Sequence, residues 1–270
     1  MSDSSQYCVV ITRPQAQAVI WAQQLAAQGF ATATLNLLEI VPVSSEEKTR
    51  AIKNKILDFD LYQKAIFVSQ NAVEFGMQWL DEYWPQLPIG IDYFAVGATT
   101  AKKLADYDVV VTDLAISGNG GMTSEDLLRA PGLQQVDGEK IIIFRGCGGR
   151  GHMAEELRKR GAWVEYCELY ERRLPAQANE QLHKLCEDIA RAQQQYLLSV
   201  HSGESLENLL AVISEYPTWQ QEQLRALPLL VPSQRIAAAA QAAGFNNTIS
   251  AENATDAAMT DALVRYSRDH

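Results

Sequence analysis

A short apolar run that ends in a small or hydroxylated residue and opens at once into a helical pattern occurs in Phe67-Val68-Ser69-Gln70-Asn71-Ala72-Val73. The same pattern returns in Phe94-Ala95-Val96-Gly97-Ala98-Thr99-Thr100-Ala101 and in Ile143-Phe144-Arg145-Gly146-Cys147-Gly148-Gly149-Arg150. Each junction sets free backbone N–H groups and the positive end of a helix dipole at the carboxyl end of a strand. In an open parallel sheet that edge is where ligands bind, and anionic groups suit it best. Arg145 and Arg150 flank a glycine-rich turn, and guanidinium groups pair bidentately with carboxylates. The turn lacks both GxGxxG spacing and a terminal GKS or GKT, so it is not expected to cradle a nucleotide. The chemistry outlined is recognition of a multiply negative small molecule.

Other side chains extend or limit this reading. Ser202-Gly203 follows one apolar run and Ser233 another, so hydroxyls recur at strand ends. Singly each is a helix cap, as Thr99 or Thr100 is expected to be for the helix after Gly97; together they outline a rim. Tyr166 and Tyr170 lie four apart on an extended segment and are expected on the same face. His152, His183, His201 and His270 have no metal-ligand spacing, and the cysteines form no CxxC pair, so no metal site is expected. Of the histidines, His201 beside Ser202 is the candidate to face a ligand. No Ser/His/Asp order supports hydrolase chemistry.

The elements that must position these residues alternate. With 270 residues, 47% hydrophobic and 21% charged, the chain can bury one large core or two moderate ones. A net charge of -10 opposes nucleic acid and anionic membrane as partners, so an anionic ligand needs local amides and cations. Without a charged-then-apolar leader pattern or a run of transmembrane length, a soluble cytoplasmic protein is expected. Strand Tyr7–Thr12 ends at Thr12-Arg13-Pro14, with Pro14 suited to the first helical position, and a helix from Gln15 to Ala27 leads to a short strand at 31–34. Strand–helix units then run from Glu46 to Arg160. They include a strand at Val109–Thr112, a flexible Gly118-Asn119-Gly120-Gly121 loop and a short helix opened by Ser124-Glu125-Asp126. The rhythm restarts after Pro175 and runs to a terminal helix from Asp256.

Such alternation calls for parallel sheets with helices on both faces, an α/β fold of doubly wound domains. Two extended stretches, 38–42 and 168–173, bracket the middle series. The first two strands are too few for a sheet of their own, so residues 1–37 are expected to join 174–270 in one discontinuous domain, with 43–167 inserted.

These residues resemble the uroporphyrinogen-III synthase family over nearly the whole chain. The resemblance is carried by Thr12-Arg13-Pro14, Phe67-Val68-Ser69-Gln70-Asn71-Ala72-Val73, and Ala95-Val96-Gly97 with Thr100-Ala101. Ser124-Glu125-Asp126-Leu127-Leu128, Arg145-Gly146 with Gly161-Ala162, Tyr170-Glu171-Arg172, Ser202 and Ser233-Gln234-Arg235-Ile236-Ala237 follow in order. It implies two α/β domains joined by a two-stranded β-ladder. It also implies a lyase that cyclises the linear tetrapyrrole hydroxymethylbilane with loss of water and inversion of ring D, without cofactor or metal. Tyr170 is implied as the acid near the departing hydroxyl. Arg13, Ser69, Asn71, Gly97, Thr100, Ser124, Arg145, Gly146, Arg150, Ser202 and Ser233 are the implied substrate contacts. The chain departs from the family pattern at His201 and at Gln234-Arg235. A monomer is expected, with transient contact to the preceding pathway enzyme. The rival readings are a two-domain anion- or sugar-binding module without catalysis and a nucleotide-dependent tetrapyrrole enzyme. The second lacks a glycine-rich nucleotide loop with an acidic partner.

Overall fold

The computed structural model describes residues 6–112, 123–149 and 151–269; Arg150 and the Gly118–Gly121 loop lie outside them. The chain opens with β1 (Tyr7–Ile11), α1 (Gln15–Ala27) and β2 (Ala31–Thr34). A middle series follows: β3 (Glu39–Pro42), α2 (Glu46–Leu57), β4 (Lys64–Phe67), α3 (Gln70–Tyr83), β5 (Asp92–Ala95), α4 (Ala98–Ala105), α5 (Ser124–Leu127), β6 (Lys140–Gly146), α6 (His152–Lys159) and β7 (Trp163–Arg173). The last series is α7 (Ala178–Arg191), β8 (Gln195–Ser199), α8 (Gly203–Ser214), α9 (Thr218–Ala226), β9 (Leu229–Val231), α10 (Gln234–Ala242), β10 (Thr248–Ser250) and α11 (Asp256–Asp269).

Three details differ from the sequence reading. Pro14 caps α1 from outside rather than occupying its first turn. Val109–Thr112 is not a strand: only Val111 bridges to Tyr93, and Asp108 before it turns through φ 58, which breaks the extended run. Helix α9 has no counterpart in the sequence reading. Its polar sequence buries only Leu224, so no apolar stripe announces it.

Contacts divide the chain into two compact units, Met1–Glu39 with Arg173–His270 and Ile40–Arg172. The first holds a sheet ordered β10-β9-β8-β1-β2, and its strand pairs are parallel throughout. Strand β1 carries five buried residues, the near-continuous apolar run of a strand covered on both faces. On one face Trp21 and Leu25 of α1 pack with Met259 and Leu263 of α11; on the other lie Leu182, Leu206, Leu209 and Ile236.

The second unit holds a sheet ordered β3-β7-β6-β4-β5, in which β7, β6, β4 and β5 are parallel neighbours. Phe67 and Phe144 stack at 4.5 Å on the face covered by α2, α3 and α4, while Ile66, Ile141 and Ile143 meet α5 and α6 on the other. Strands β3 and β7 lie side by side, and the chain passes from one unit to the other at residues 39/40 and 172/173, at their ends. The architecture is two doubly wound α/β domains, one inserted in the sequence of the other.

Candidate functional site

In the second unit the winding reverses between β4 and β6, since β4 leads outward to β5 and β6 outward to β7. Crevices at the carboxyl ends of such a reversal are the ligand sites of open α/β sheets. Ser69 follows β4 there. Its Oγ accepts from the N–H of Ala72, capping α3, and lies 2.9 Å from the phenolic oxygen of Tyr170. Tyr170 belongs to β7 and reaches Ser69 by lying across Gly146 of β6: a Cβ on Gly146 would fall 2.5 Å from the ring. Phe75 stacks on the same ring at 5.6 Å, and the Cys147 N–H donates to the Tyr170 carbonyl at 2.8 Å. The tyrosine is 2% exposed and held from several directions. Asn71, at the second position of α3, is half-buried beside this cap.

Tyr166 and Tyr170 do not share a face. The register slips between Arg145, paired with Glu168, and Gly146, paired with Tyr170, so β7 carries an extra residue. Such a bulge inverts the alternation beyond it. Tyr170 packs with Phe67 and Phe144, whereas Tyr166 packs with Ile143 and Val164 on the opposite face.

Arg145 is buried and its guanidinium is engaged by the turn itself. Nε donates to the Gly146 carbonyl at 3.1 Å, the group lies 4.5 Å over the Tyr166 ring, and Glu168 stands 3.9 Å away. A Cβ on Gly149 would meet Nη2 at 2.0 Å, so the turn is closed over the arginine. The guanidinium thus braces the turn from within. Beside it Lys48 pairs with Glu171 at 2.7 Å and lies 3.8 Å from the Cys147 sulfur.

Gly97 caps α4 with φ 86 and ψ 151, a conformation that side chains rarely adopt. Neither Thr99 nor Thr100 caps this helix, which corrects the sequence reading: Thr99 is exposed in the first turn and Thr100 is buried beneath it. With no side-chain cap, the first amides of α4 are suited to an anion. The start of α5 is the opposite case. Thr123 and Asp126 form a capping box, and the Thr123 N–H and hydroxyl hold the Asp126 carboxyl below the usual range. Ser124, half-buried in that first turn, therefore sits where a carboxylate is already bound.

In the first unit the winding reverses between β1 and β8. Buried hydroxyls lace the two strands together: Thr12 donates to the Ser199 carbonyl at 2.7 Å and Ser199 to that of Val10 at 2.8 Å. Arg13, next along, pairs with Asp256 and with Gln17. Beyond β8, His201 meets Trp21 edge-on with ring centres 4.7 Å apart. Burial, and then the Arg13 charge, push its pKa down to about 3, so the imidazole is neutral at ordinary pH. Ser202 caps α8, accepting from the Ser205 N–H at 3.1 Å, whereas Ser233 stands at the cap of α10 without a capping bond. Sequence reasoning missed the Thr12–Ser199 lacing and the Arg13–Asp256 pair, because their partners are remote along the chain and no local pattern links them.

Among the described residues no group of three or more His, Cys, Asp or Glu could hold a metal ion, and no helix is long and apolar enough to cross a membrane. A family model described as uroporphyrinogen-III synthase HemD matches residues 20–261. The uroporphyrinogen-III synthase of Salmonella typhimurium is 31% identical over 258 residues, 94% of this chain and 99% of the relative. That of Escherichia coli is 35% identical over 201 residues, 73% of this chain and 76% of the relative. Among solved structures, the Helicobacter pylori uroporphyrinogen-III synthetase superposes with a TM-score of 0.60 at 15% identity, covering 98% of both chains. A mutant uroporphyrinogen III synthase from the extremely thermophilic bacterium Thermus thermophilus gives 0.58 at 16% identity, covering 98% of this chain and all of the other. At such identities these two likenesses speak for the fold.

Proposed function

Because the chain belongs to the uroporphyrinogen-III synthase family, we propose that it works in the cytoplasm as a hydroxymethylbilane hydro-lyase. It cyclises the linear tetrapyrrole with loss of water and inversion of ring D, in tetrapyrrole biosynthesis. The observation that carries the catalytic assignment is the Tyr170 phenol, fixed by Ser69 at the winding reversal of the second unit. The phenol protonates the departing hydroxyl of the hydroxymethyl group, which leaves as water. The electrophilic azafulvene that remains is attacked by a pyrrole carbon, and the resulting spiro intermediate fragments and recloses with ring D inverted.

Most of the barrier is lowered by orientation, because the azafulvene forms and reacts readily while the bilane must be kept from simple head-to-tail closure. In this reading the amides opening α3 and α4, at Asn71 and after Gly97, take substrate carboxylates, as do Arg13, Arg150 and the hydroxyls of Ser202 and Ser233, whereas the start of α5 at Ser124 is already occupied by the Asp126 carboxylate. Gly146 makes room for Tyr170; Arg145 and Thr100 support their turns from beneath. No cofactor enters the reaction.

The test is conversion of hydroxymethylbilane by the purified protein without additions, with isomers I and III separated. Predominant type III product is expected. Type I alone, the spontaneous product, would overturn the reading and return the chain to a binding role.

A further inference from the structure

His201 is a polar side chain packed edge-on against Trp21. Both of its ring nitrogens are inaccessible to solvent and have no hydrogen-bond partner, although the residue as a whole retains some exposure. One face of the setting is the fully buried Trp21, whose own N–H is committed to Thr260. The nearby Arg13 is tied to Asp256 and Gln17. A neutral imidazole offers one N–H donor and one acceptor nitrogen, so two hydrogen-bonding capacities go unmet here. Unmet buried groups are destabilising, and natural structures hold few of them.

The place is as telling as the deficit. His201 follows β8, and Arg13 follows β1, on either side of the winding reversal where open α/β sheets take their ligands. Apolar residues of similar volume would fill the position without the cost. Local inconsistencies of this kind concentrate at functional sites. What would satisfy the ring is a molecule offering both an N–H donor and an anionic or carbonyl acceptor within a few ångströms. A pyrrole bearing carboxylate side chains has that pair.

We propose that His201 is a substrate-binding residue that orients one pyrrole ring of the bilane, accepting from its N–H at one ring nitrogen and donating to a carboxylate from the other. Because both nitrogens are covered in this arrangement, the imidazole must turn when substrate enters; a half-turn about the Cβ–Cγ bond would exchange the nitrogens with ring carbons. The proposal rests on the synthase reading and adds to it a side chain that biases the ring-closure geometry.

The test compares wild type with His201→Leu and His201→Gln. Leucine removes both unmet groups, so its melting temperature should rise above that of wild type while KM increases roughly tenfold, the factor carried by a hydrogen bond of about 1.4 kcal/mol. The type III fraction of the product should fall with it. Glutamine, which restores a donor and an acceptor, should recover part of both. Unchanged KM and isomer ratio in the leucine variant would overturn the proposal. So would a lower melting temperature with activity lost in proportion, because that is the signature of a structural histidine. If the leucine variant does not fold, the glutamine variant decides by the same two readouts. Binding of uroporphyrin III, followed by fluorescence, separates this idea from the one beneath it. Wild type that binds the porphyrin but makes no type III isomer sinks the synthase reading, and weaker binding by the variants would still uphold the role of His201.

Discussion

Tyr170 reaches Ser69 only because residue 146 has no side chain, and the reach depends on one extra residue in β7. Tyr170→Phe leaves the packing of Phe75 and Gly146 intact and removes the 2.9 Å contact. Stability should fall by about 1 kcal/mol and turnover by about a hundredfold. Undiminished type III formation in a folded variant would remove the phenol from the mechanism. His201 provides a second measurement at this scale. Folded, its imidazole stays unprotonated down to about pH 3; unfolded, it takes a proton near its ordinary value of about 6.5. The unfolded chain thus binds the extra proton across that window, and stability is lost as pH falls below about 6.5, by up to about 1.4 kcal/mol per pH unit from this group. Chemical denaturation at several acidic pH values should show wild type losing stability faster than His201→Leu, and parallel curves would contradict the shielding. The residue types at this scale were readable from the sequence: Ser69, Gly146, Tyr170 and His201 all stood out by position. Their partners were not. Strict alternation put Tyr166 beside Tyr170, and a bulge leaves no mark in residue types when the inserted residue is an ordinary leucine, Leu169.

At the scale of elements, the strand-to-helix junctions carry the chemistry, and their geometry is set by which residue caps which helix. Ser69 and Ser202 commit their hydroxyls to caps; Gly97 has no side chain and Ser233 makes no capping bond, which leaves the first turns of α4 and α10 without a side-chain cap. Gly97→Val forces a branched side chain into φ 86 and should cost about 1–3 kcal/mol while tilting α4 away from its amide-presenting orientation. Gly146→Ala needs a Cβ 2.5 Å from the Tyr170 ring and should cost a similar amount, displacing the phenol from Ser69. Thermal melts with product analysis check both. A Gly146→Ala enzyme of wild-type turnover would show that the phenol need not lie over residue 146. The junctions were legible because an apolar run stopped by a small residue marks a turn. The capping residues were less so: Thr99, Thr100 and Ser124 have the composition of caps, but Gly97 and Thr123 hold the positions. Composition cannot fix a boundary to one residue.

For the whole molecule, β1 is the strand that the first unit cannot do without. It lies between β8 and β2, and its five buried residues contribute to both faces of the sheet. The alternating pattern and the two extended stretches made the α/β class legible. That the first strands need the last part of the chain followed from counting: two strands do not stabilise a sheet. Residues 40–172 expressed alone should fold cooperatively, whereas 173–270 alone should not, since β8 would expose an unpaired apolar edge. Circular dichroism and chemical denaturation of the two fragments test this, and a cooperative transition in the second would show that β1 is dispensable. The same placement has a consequence during synthesis. Strand β1 leaves the ribosome first, but Val10 takes its bond from Ser199, 189 residues later. At a translation rate of about 5–20 residues per second, that is a wait of roughly 10–40 s. Through that interval an uncharged Tyr-Cys-Val-Val-Ile segment stays without its neighbour while the middle of the chain is made and can fold. Shielding of this segment until β8 has been made should therefore raise the yield of folded chain, apart from any change in the stability of the finished sheet.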